Sequence, residues 1–268
     1  MLQRFKSAAR DALPAQFQVP VKYWYGALRH DLEPEMALLP LLVRKGAHVA
    51  DVGGNRGTYA YCFHRLGARV EIFEPNPLCA DILDRWARPI ASAKVHRVAL
   101  SSAAGLATLH IPIDEQGVEH DASASIETPG SGRQHDIEVP LRDLDSYGFD
   151  DLDFIKIDTE GHEGSVLAGA SATIRASYPA MLIEIEQRHL GAEPIGSLFE
   201  RILAMGYRGY YLLGQRLEPL AGFDPARDQS MIAFETKSGR YINNFLFLAE
   251  TRIKAGAYQD VLSRWTAP

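Results

Sequence analysis

The stretch HVADVGGNRG, residues 48 to 57, and the later RVEIFEPNP, residues 69 to 77, decide the fold. The first reads as a strand of β-favouring residues running into a glycine-rich turn, with a helix beginning at Thr58. The second is another strand, and it delivers the Glu74 carboxylate at its C-terminal tip. Strand, turn, helix and strand in that order form a βαβ unit with a nucleotide-type cofactor pocket at its open end. Glycines let the backbone approach the ligand, and a carboxylate at the second strand end accepts hydrogen bonds from both ribose hydroxyls.

Two cofactors compete for this pocket. A dinucleotide fingerprint, G-x-G-x-x-G, clears room for a pyrophosphate on the following helix N-terminus. Here Asn55 stands where the second alternating glycine belongs, and Asp51 precedes the turn. A carboxylate there suits a cationic ligand end and repels a pyrophosphate. The acidic-x-Gly-x-x-x-Gly order is similar to the first motif of S-adenosylmethionine-dependent methyltransferases, whose turn wraps the methionine part of a sulfonium cofactor. Taken alone, the turn leaves a nicotinamide cofactor and a purely structural role open.

Working outward, short β-rich runs alternate with helical stretches. AHVADV (47 to 52), ARVEIF (68 to 73), AKVHRVAL (93 to 100), LDFIKI (152 to 157) and AMLIEIE (180 to 186) are separated by YAYCFHRL, LCADILDRWA and SVLAGASATIRA. Alternation of this kind predicts right-handed crossovers and a doubly wound, mostly parallel α/β sheet. Ligands of such sheets bind off the C-terminal strand ends, where Asp51, Glu74 and Asp158 all fall. After Glu186 the sequence predicts a helix and strand in PIGSLFERILAMGYRGYYLLG and a strand in MIAFE, with NNFLFL leading into a final helical stretch to Trp265. That makes about seven strands with an antiparallel pair at one edge. The expected organisation is a helical extension over 1–45, a cofactor-binding domain over 46–250 and a C-terminal helix over 251–268.

Residues 105–140 break the rhythm. ATLHIPI and HDIEVPL are extended segments, and the polar DEQGVEHDASASIETPGSGRQ between them is rich in Gly, Ser and Pro. Beside a cofactor pocket such an insertion serves as a substrate loop or lid, the alternative being a mobile surface loop.

Composition narrows the partners. The 268 residues are 46% hydrophobic and 23% charged, enough apolar material for one large domain. With a net charge of −6 and its basic residues scattered, the chain lacks the basic face of a nucleic-acid binder. A small-molecule or glycan acceptor is expected instead. No run reaches the ~18 to 20 apolar residues of a membrane helix, and MLQRFKSAARDALP lacks a signal-peptide core, so a cytoplasmic location is expected. Leu2, Phe5, Ala9 and Leu13 fall at near-helical spacing with Arg4, Lys6 and Arg10 between them. This amphipathic segment is read as packing on the domain or on a second copy of the chain, with a membrane surface as the lesser alternative. Cys62 and Cys79 have no metal or disulfide spacing and read as buried thiols.

A second constellation is IKIDTEGHEGSVLAGA, residues 155 to 170. Lys156, Asp158, Glu160, His162 and Glu163 crowd one strand-to-helix turn flanked by apolar sequence. So many ionisable groups are costly to bury for structure alone, although acids at a helix N-terminus are also stabilising there.

Together, DVGGNRG, FEPNP, VAL (98 to 100), LRDLDSYG, DFIKIDTEGHEGSVLAGA, LIEIE and NNFLFL resemble the FkbM family of methyltransferases in order and spacing from about residue 46 to 190 and beyond. The resemblance implies a class I, Rossmann-like, S-adenosylmethionine-dependent enzyme that methylates hydroxyls of sugars, glycolipids or polyketide-like natural products. It implies that Asp51, Gly53, Asn55 and Gly57 hold the methionine end, with Asp158 facing the same pocket. Glu74 would hold the ribose diol, and Pro75, Asn76, Ala99 and Leu100 the adenine. One departure is Gly54, where the family carries a slightly larger small residue, a change read as tolerable.

Methylating an alcohol requires alignment of oxygen, methyl carbon and sulfur, and removal of the hydroxyl proton or its activation by a metal. His162 is the first choice of base, since an unperturbed histidine titrates near ~6.5, and His189 in EIEQRHL is the second. Asp158 and Glu160 could orient the base, and with Glu186 they form an oxygen-rich set suited to Mg²⁺. A nicotinamide oxidoreductase and a cofactor-binding partner without turnover remain the competing readings.

Overall fold

The computed structural model describes residues 13–127, 132–236 and 239–265. The expected amphipathic segment over residues 1–13 therefore lies outside them, apart from Leu13. Eleven strands occur among the described residues: β1 (His48–Val52), β2 (Arg69–Phe73), β3 (Ala93–His96), β4 (Ala99–Leu100), β5 (Gly105–Pro112), β6 (Gln134–Arg142), β7 (Leu152–Ile157), β8 (Ala180–Glu184), β9 (Tyr207–Leu213), β10 (Arg216–Pro219) and β11 (Asn244–Ala249).

Eight of them form one sheet in the order β10-β9-β11-β8-β7-β1-β2-β3. The pairs from β3 through β8 are parallel, while β11 pairs antiparallel with both β8 and β9. This is the doubly wound, mostly parallel α/β sheet with an antiparallel edge that the sequence predicts. Every residue of β1 and β11 is buried, because helices cover both faces of a doubly wound sheet. One core layer is centred on Val49, Phe63, Ile72 and Phe154, the other on Ile155, Ile183, Phe245 and Phe247. Tyr207, Tyr210 and Tyr211 belong to these cores.

The hairpin return β10 and the strand β11, which begins within NNFLFL, bring the main sheet to eight strands where about seven were expected. MIAFE is helical, over Met231–Thr236. Both edges of β9 and β11 are already paired, so this segment cannot enter the sheet beside either of them. Gln229 pins its root, donating to the carbonyls of Ile185 and Ile242 at 2.7 and 2.8 Å. The single strand expected over 93 to 100 divides: β3 joins the main sheet and β4 leaves it for a three-stranded sheet with β6 and β5. The inserted region thus has its own antiparallel hairpin, β5 with β6, around a small core of Leu109, Ile111 and Val139. The C-terminal stretch is two helices, Glu250–Lys254 and Gln259–Trp265. Cys62 and Cys79 are buried in helices, where burial pushes both thiols up. No helix among the described residues is long and apolar enough to cross a membrane.

Candidate functional site

The parallel strands end at one cleft. Gly53 and Gly54 both donate to the Phe73 carbonyl, at 2.9 and 3.1 Å, folding the turn after β1 across the end of β2. Gly53 has φ +79°, and a Cβ there would lie 1.8 Å from the Asp158 carbonyl oxygen. Glycine is therefore required both by conformation and by the closeness of the β7 end. Gly57, at φ +80°, opens the helix Thr58–Arg65 without itself lining the cleft. At Gly54 the departure from the family has a local cause: a Cβ would meet Ile72 Cγ2 at 2.5 Å. Glycine there fits the packing of Ile72, which would have to shift to admit a Cβ.

Asp51 is 1% exposed, and its Oδ2 has no hydrogen-bond partner among the described residues although the side chain lines the cleft. Burial pushes its carboxyl up to about 7, against the pull of Lys156 and the amide of Ala60 and with the push of Asp158. Glu74 receives the amides of Asn55 and Asn76 on its two oxygens, at 2.6 and 2.7 Å. Burial outweighs those donors and pushes it up to about 7 as well. Two buried acids facing one cleft favour a cationic occupant, which restores the ionised form. Pro75, Ala99 and Leu100 supply an apolar wall beside Glu74.

Two carried-over assignments change. Asn55 is left-handed at φ 45°, and its side chain turns to the inserted region, donating to the Asp121 carbonyl at 3.1 Å and accepting from Lys22. Its contribution to the cleft is the backbone amide that fixes Glu74. Asn76 does not line the cleft; its Oδ1 caps the helix Pro77–Ala87 by accepting from Leu78.

On the far side, Lys156 is 1% exposed, with Nζ donating to Asn244 Oδ1 at 3.0 Å and standing 3.9 Å from Asp158 Oδ2. Burial pushes the Asp158 carboxyl up, with Lys156 opposing and Glu160 reinforcing. Glu33 completes the wall, accepting from Tyr59 at 2.6 Å. Glu163 does not face a ligand: Oε1 receives the Thr159 and Gly161 amides and the Thr159 hydroxyl, closing its own turn.

His162 lines the cleft and is held at both ring nitrogens. Nδ1 lies 2.5 Å from Glu127 Oε1 and Nε2 lies 2.9 Å from Ser101 Oγ. A carboxylate only accepts, so Nδ1 carries the proton and Nε2 receives the Ser101 hydroxyl. That tautomer leaves Nε2 as the basic atom. His189 does not line the cleft; its Nε2 sits 3.0 Å from Glu160 Oε2, out of line for a hydrogen bond.

The oxygen-rich set also regroups. Glu160, Glu186 and His189 each bring one ligand atom within 4.8 Å of the others, and Asp158 is not among them. Arg188 grips both Glu186 oxygens at 2.6 and 2.9 Å, and Tyr241 donates to the same carboxylate. Although burial alone would raise Glu186, these partners hold it below the usual carboxylate range. Arg188 occupies both Glu186 oxygens and offsets one of the two carboxylate charges, which disfavours a resident divalent cation there.

Residues 121–127 form a strap over the cleft. Asp121 pairs with Arg56 at 2.6 Å, both side chains being under a tenth exposed, beside the glycine turn. Ser125 donates to the Glu160 carbonyl at 2.8 Å and Glu127 reaches His162, so the strap's other end lies on the turn after β7. Sequence reasoning missed Ser101, Asp121 and Glu127. Each lies more than thirty positions from its partner, and no local pattern signals such a contact.

Residues 51–212 match the model of the methyltransferase FkbM domain. The 2-O-methyltransferase NoeI of Sinorhizobium fredii is 28% identical over 159 residues, 53% of this chain and 65% of that protein. The hexuronic acid methyltransferase AglP of Haloferax volcanii is 31% identical over 176 residues, 61% of this chain and 66% of that protein. Both matches span less than two thirds of the relative's length. The crystal structure of an FkbM methyltransferase from Methylobacillus flagellatus aligns at TM-score 0.48 and 18% identity, covering 88% of this chain and 55% of that one. With more than half its length matched by the family model, the chain belongs to the FkbM methyltransferase family.

Proposed function

We propose that the chain is an S-adenosylmethionine-dependent O-methyltransferase acting on a hydroxyl of a sugar, glycan or polyketide-like natural product. The catalytic unit is residues 46–250, with 1–45 and 251–268 as flanking extensions. The observation that carries the reading is the unpartnered Asp51 Oδ2 in an acidic cleft that also holds the basic Nε2 of His162. The same acids disfavour a pyrophosphate, and hence the nicotinamide reading. Family membership and two relatives named as methyltransferases, one of them acting on hexuronic acid, support the choice of acceptor class.

The cofactor supplies an electrophilic methyl group on a positively charged sulfur. Asp51 and Asp158 would face its cationic methionine end, Glu74 would accept from the ribose diol through lone pairs its two amide donors leave over, and Pro75 and Ala99 would flank the adenine. His162 Nε2 takes the proton of the acceptor hydroxyl in place of the Ser101 contact, while Glu127 holds Nδ1 and favours the imidazolium that forms. The strap keeps water from this proton transfer. His189, Arg188 and the half-exposed Phe234, whose ring lies 4.4 Å from the guanidinium, supply polar and aromatic groups for a sugar beside Glu160.

Thermal shift with individual ligands tests the assignment. S-adenosylmethionine and its demethylated product should raise Tm while NAD leaves it unchanged, and labelled methyl should pass to nucleotide sugars or glycolipids. Stabilisation by NAD alone would overturn it. Cofactor binding without transfer to any hydroxyl acceptor would favour a non-catalytic partner in a biosynthetic complex.

A further inference from the structure

The helix Ala15–Arg29 has two faces of different fate. Val19 is fully buried, its methyls filling the space that a Cβ on Gly57 would take, and the helix packs on Pro77–Ala87 and Thr58–Arg65. Its opposite face carries Phe17, Val21, Trp24 and Leu28 at successive helical turns, with Tyr25 alongside, and these are 51%, 45%, 51%, 81% and 50% exposed. A stripe of five large apolar residues, two of them amphipathic aromatics, is unlike the scattered apolar residues of an ordinary surface.

Charge identifies what the stripe suits. The helix contains Lys22 and Arg29 and no acidic residue, and Arg65 lies over the Trp24 ring at 4.5 Å. Arg29 pairs with Asp31 just beyond the helix. Over the first thirty residues five basic side chains face a single acid, Asp11, in a chain whose net charge is −6. Positive charge is thus segregated onto the segment that carries the exposed apolar stripe. A second copy would set two such basic segments against each other, whereas an anionic lipid surface complements both the charge and the apolar face.

We infer that the helix Ala15–Arg29 is an in-plane docking element for an anionic membrane surface. Trp24 and Tyr25 sit at the headgroup boundary, Phe17, Val21 and Leu28 enter the acyl region, and Arg29 and Arg65, which lie over the Tyr25 and Trp24 rings, meet the lipid phosphates. Lys22 belongs to the same helix and lines the cleft, so docking sets the cleft mouth close to the surface. This assignment is independent of the methyl-transfer reading.

Co-sedimentation of the full chain with phosphatidylcholine vesicles, with and without a quarter phosphatidylglycerol, tests it. Binding should need the anionic lipid, weaken from 0.1 to 0.5 M salt, and fall at least tenfold in Val21→Glu/Leu28→Glu, whose sites are exposed. Circular dichroism and Tm should show the variant folded. If the folded variant binds vesicles as the parent does, or if the parent binds neither vesicle, the inference fails. A concentration-dependent dimer in ultracentrifugation, abolished by the same variant while vesicle binding persists, would assign the stripe to self-association instead.

Discussion

At the scale of single residues, the convergence of Asp51 and Glu74 on the cleft was legible and the partners of His162 were not. Asp51 and Glu74 sit at strand tips within motifs of fixed spacing, so their convergence follows from the sheet itself. His162 was visible as an ionisable residue in the turn after β7, but what holds it comes from Ser101 and Glu127, at 61 and 35 positions' remove. Replacing His162 by Ala should slow turnover about a hundredfold while cofactor affinity holds, because the base is lost and the cofactor contacts are not. Glu127→Gln should act through kcat alone by about tenfold, with partial recovery in Glu127→Asp, since the carboxylate orients the ring without touching the acceptor. Single-turnover rates beside calorimetric binding separate these outcomes, and a parallel loss of affinity in both variants would assign His162 and Glu127 to structure.

At the scale of elements, the parallel strands and their helices follow from apolar runs alternating with helical periodicity, while MIAFE shows where that reading fails. Its apolar residues are exposed on a short helix, with Ile232 at 75%, so the run does not mark a ladder partner. The inserted region was legible as an interruption, but its strap depends on the buried Arg56 to Asp121 pair, which no periodicity reports. Removing one member of a buried pair costs about 3 to 5 kcal/mol locally, because the other charge is left uncompensated. In Asp121→Asn the strap should detach: proteolysis within 114–133 should accelerate and the acceptor KM should rise, while the far-ultraviolet dichroism stays that of the parent. Unchanged protease resistance would mean that the contacts of Ser125 and Glu127 suffice.

At the scale of the whole molecule, the cleft concentrates carboxyls that burial raises. Asp51 and Glu74 in the cleft reach about 7, as does Glu35, which is buried outside the cleft lining. In the unfolded chain such groups titrate near ~4, so between about 4 and 7 the folded state binds more protons than the unfolded state. Stability of the ligand-free chain should therefore fall as pH rises through that window. A cationic cofactor selects the ionised carboxyls, so its affinity should climb over the same range. Tm and calorimetric titrations from pH 5 to 8 check both slopes, and flat profiles would mean that these acids are ionised throughout.

The strand order has a consequence for how the chain comes to be this sheet. β11 lies between β8 and β9 yet is made after both, and its first residue, Asn244, receives the hydrogen bond of the buried Lys156. During synthesis the half from β1 to β8 can assemble first, but its growing edge stays unpaired and the β9 to β10 hairpin has nothing to dock on until residues 244–249 emerge. Closure of the sheet and the hydrogen bonding of the buried Lys156 are then completed in a single late event, which makes the last strand a checkpoint on completion of the cleft that the first strand began.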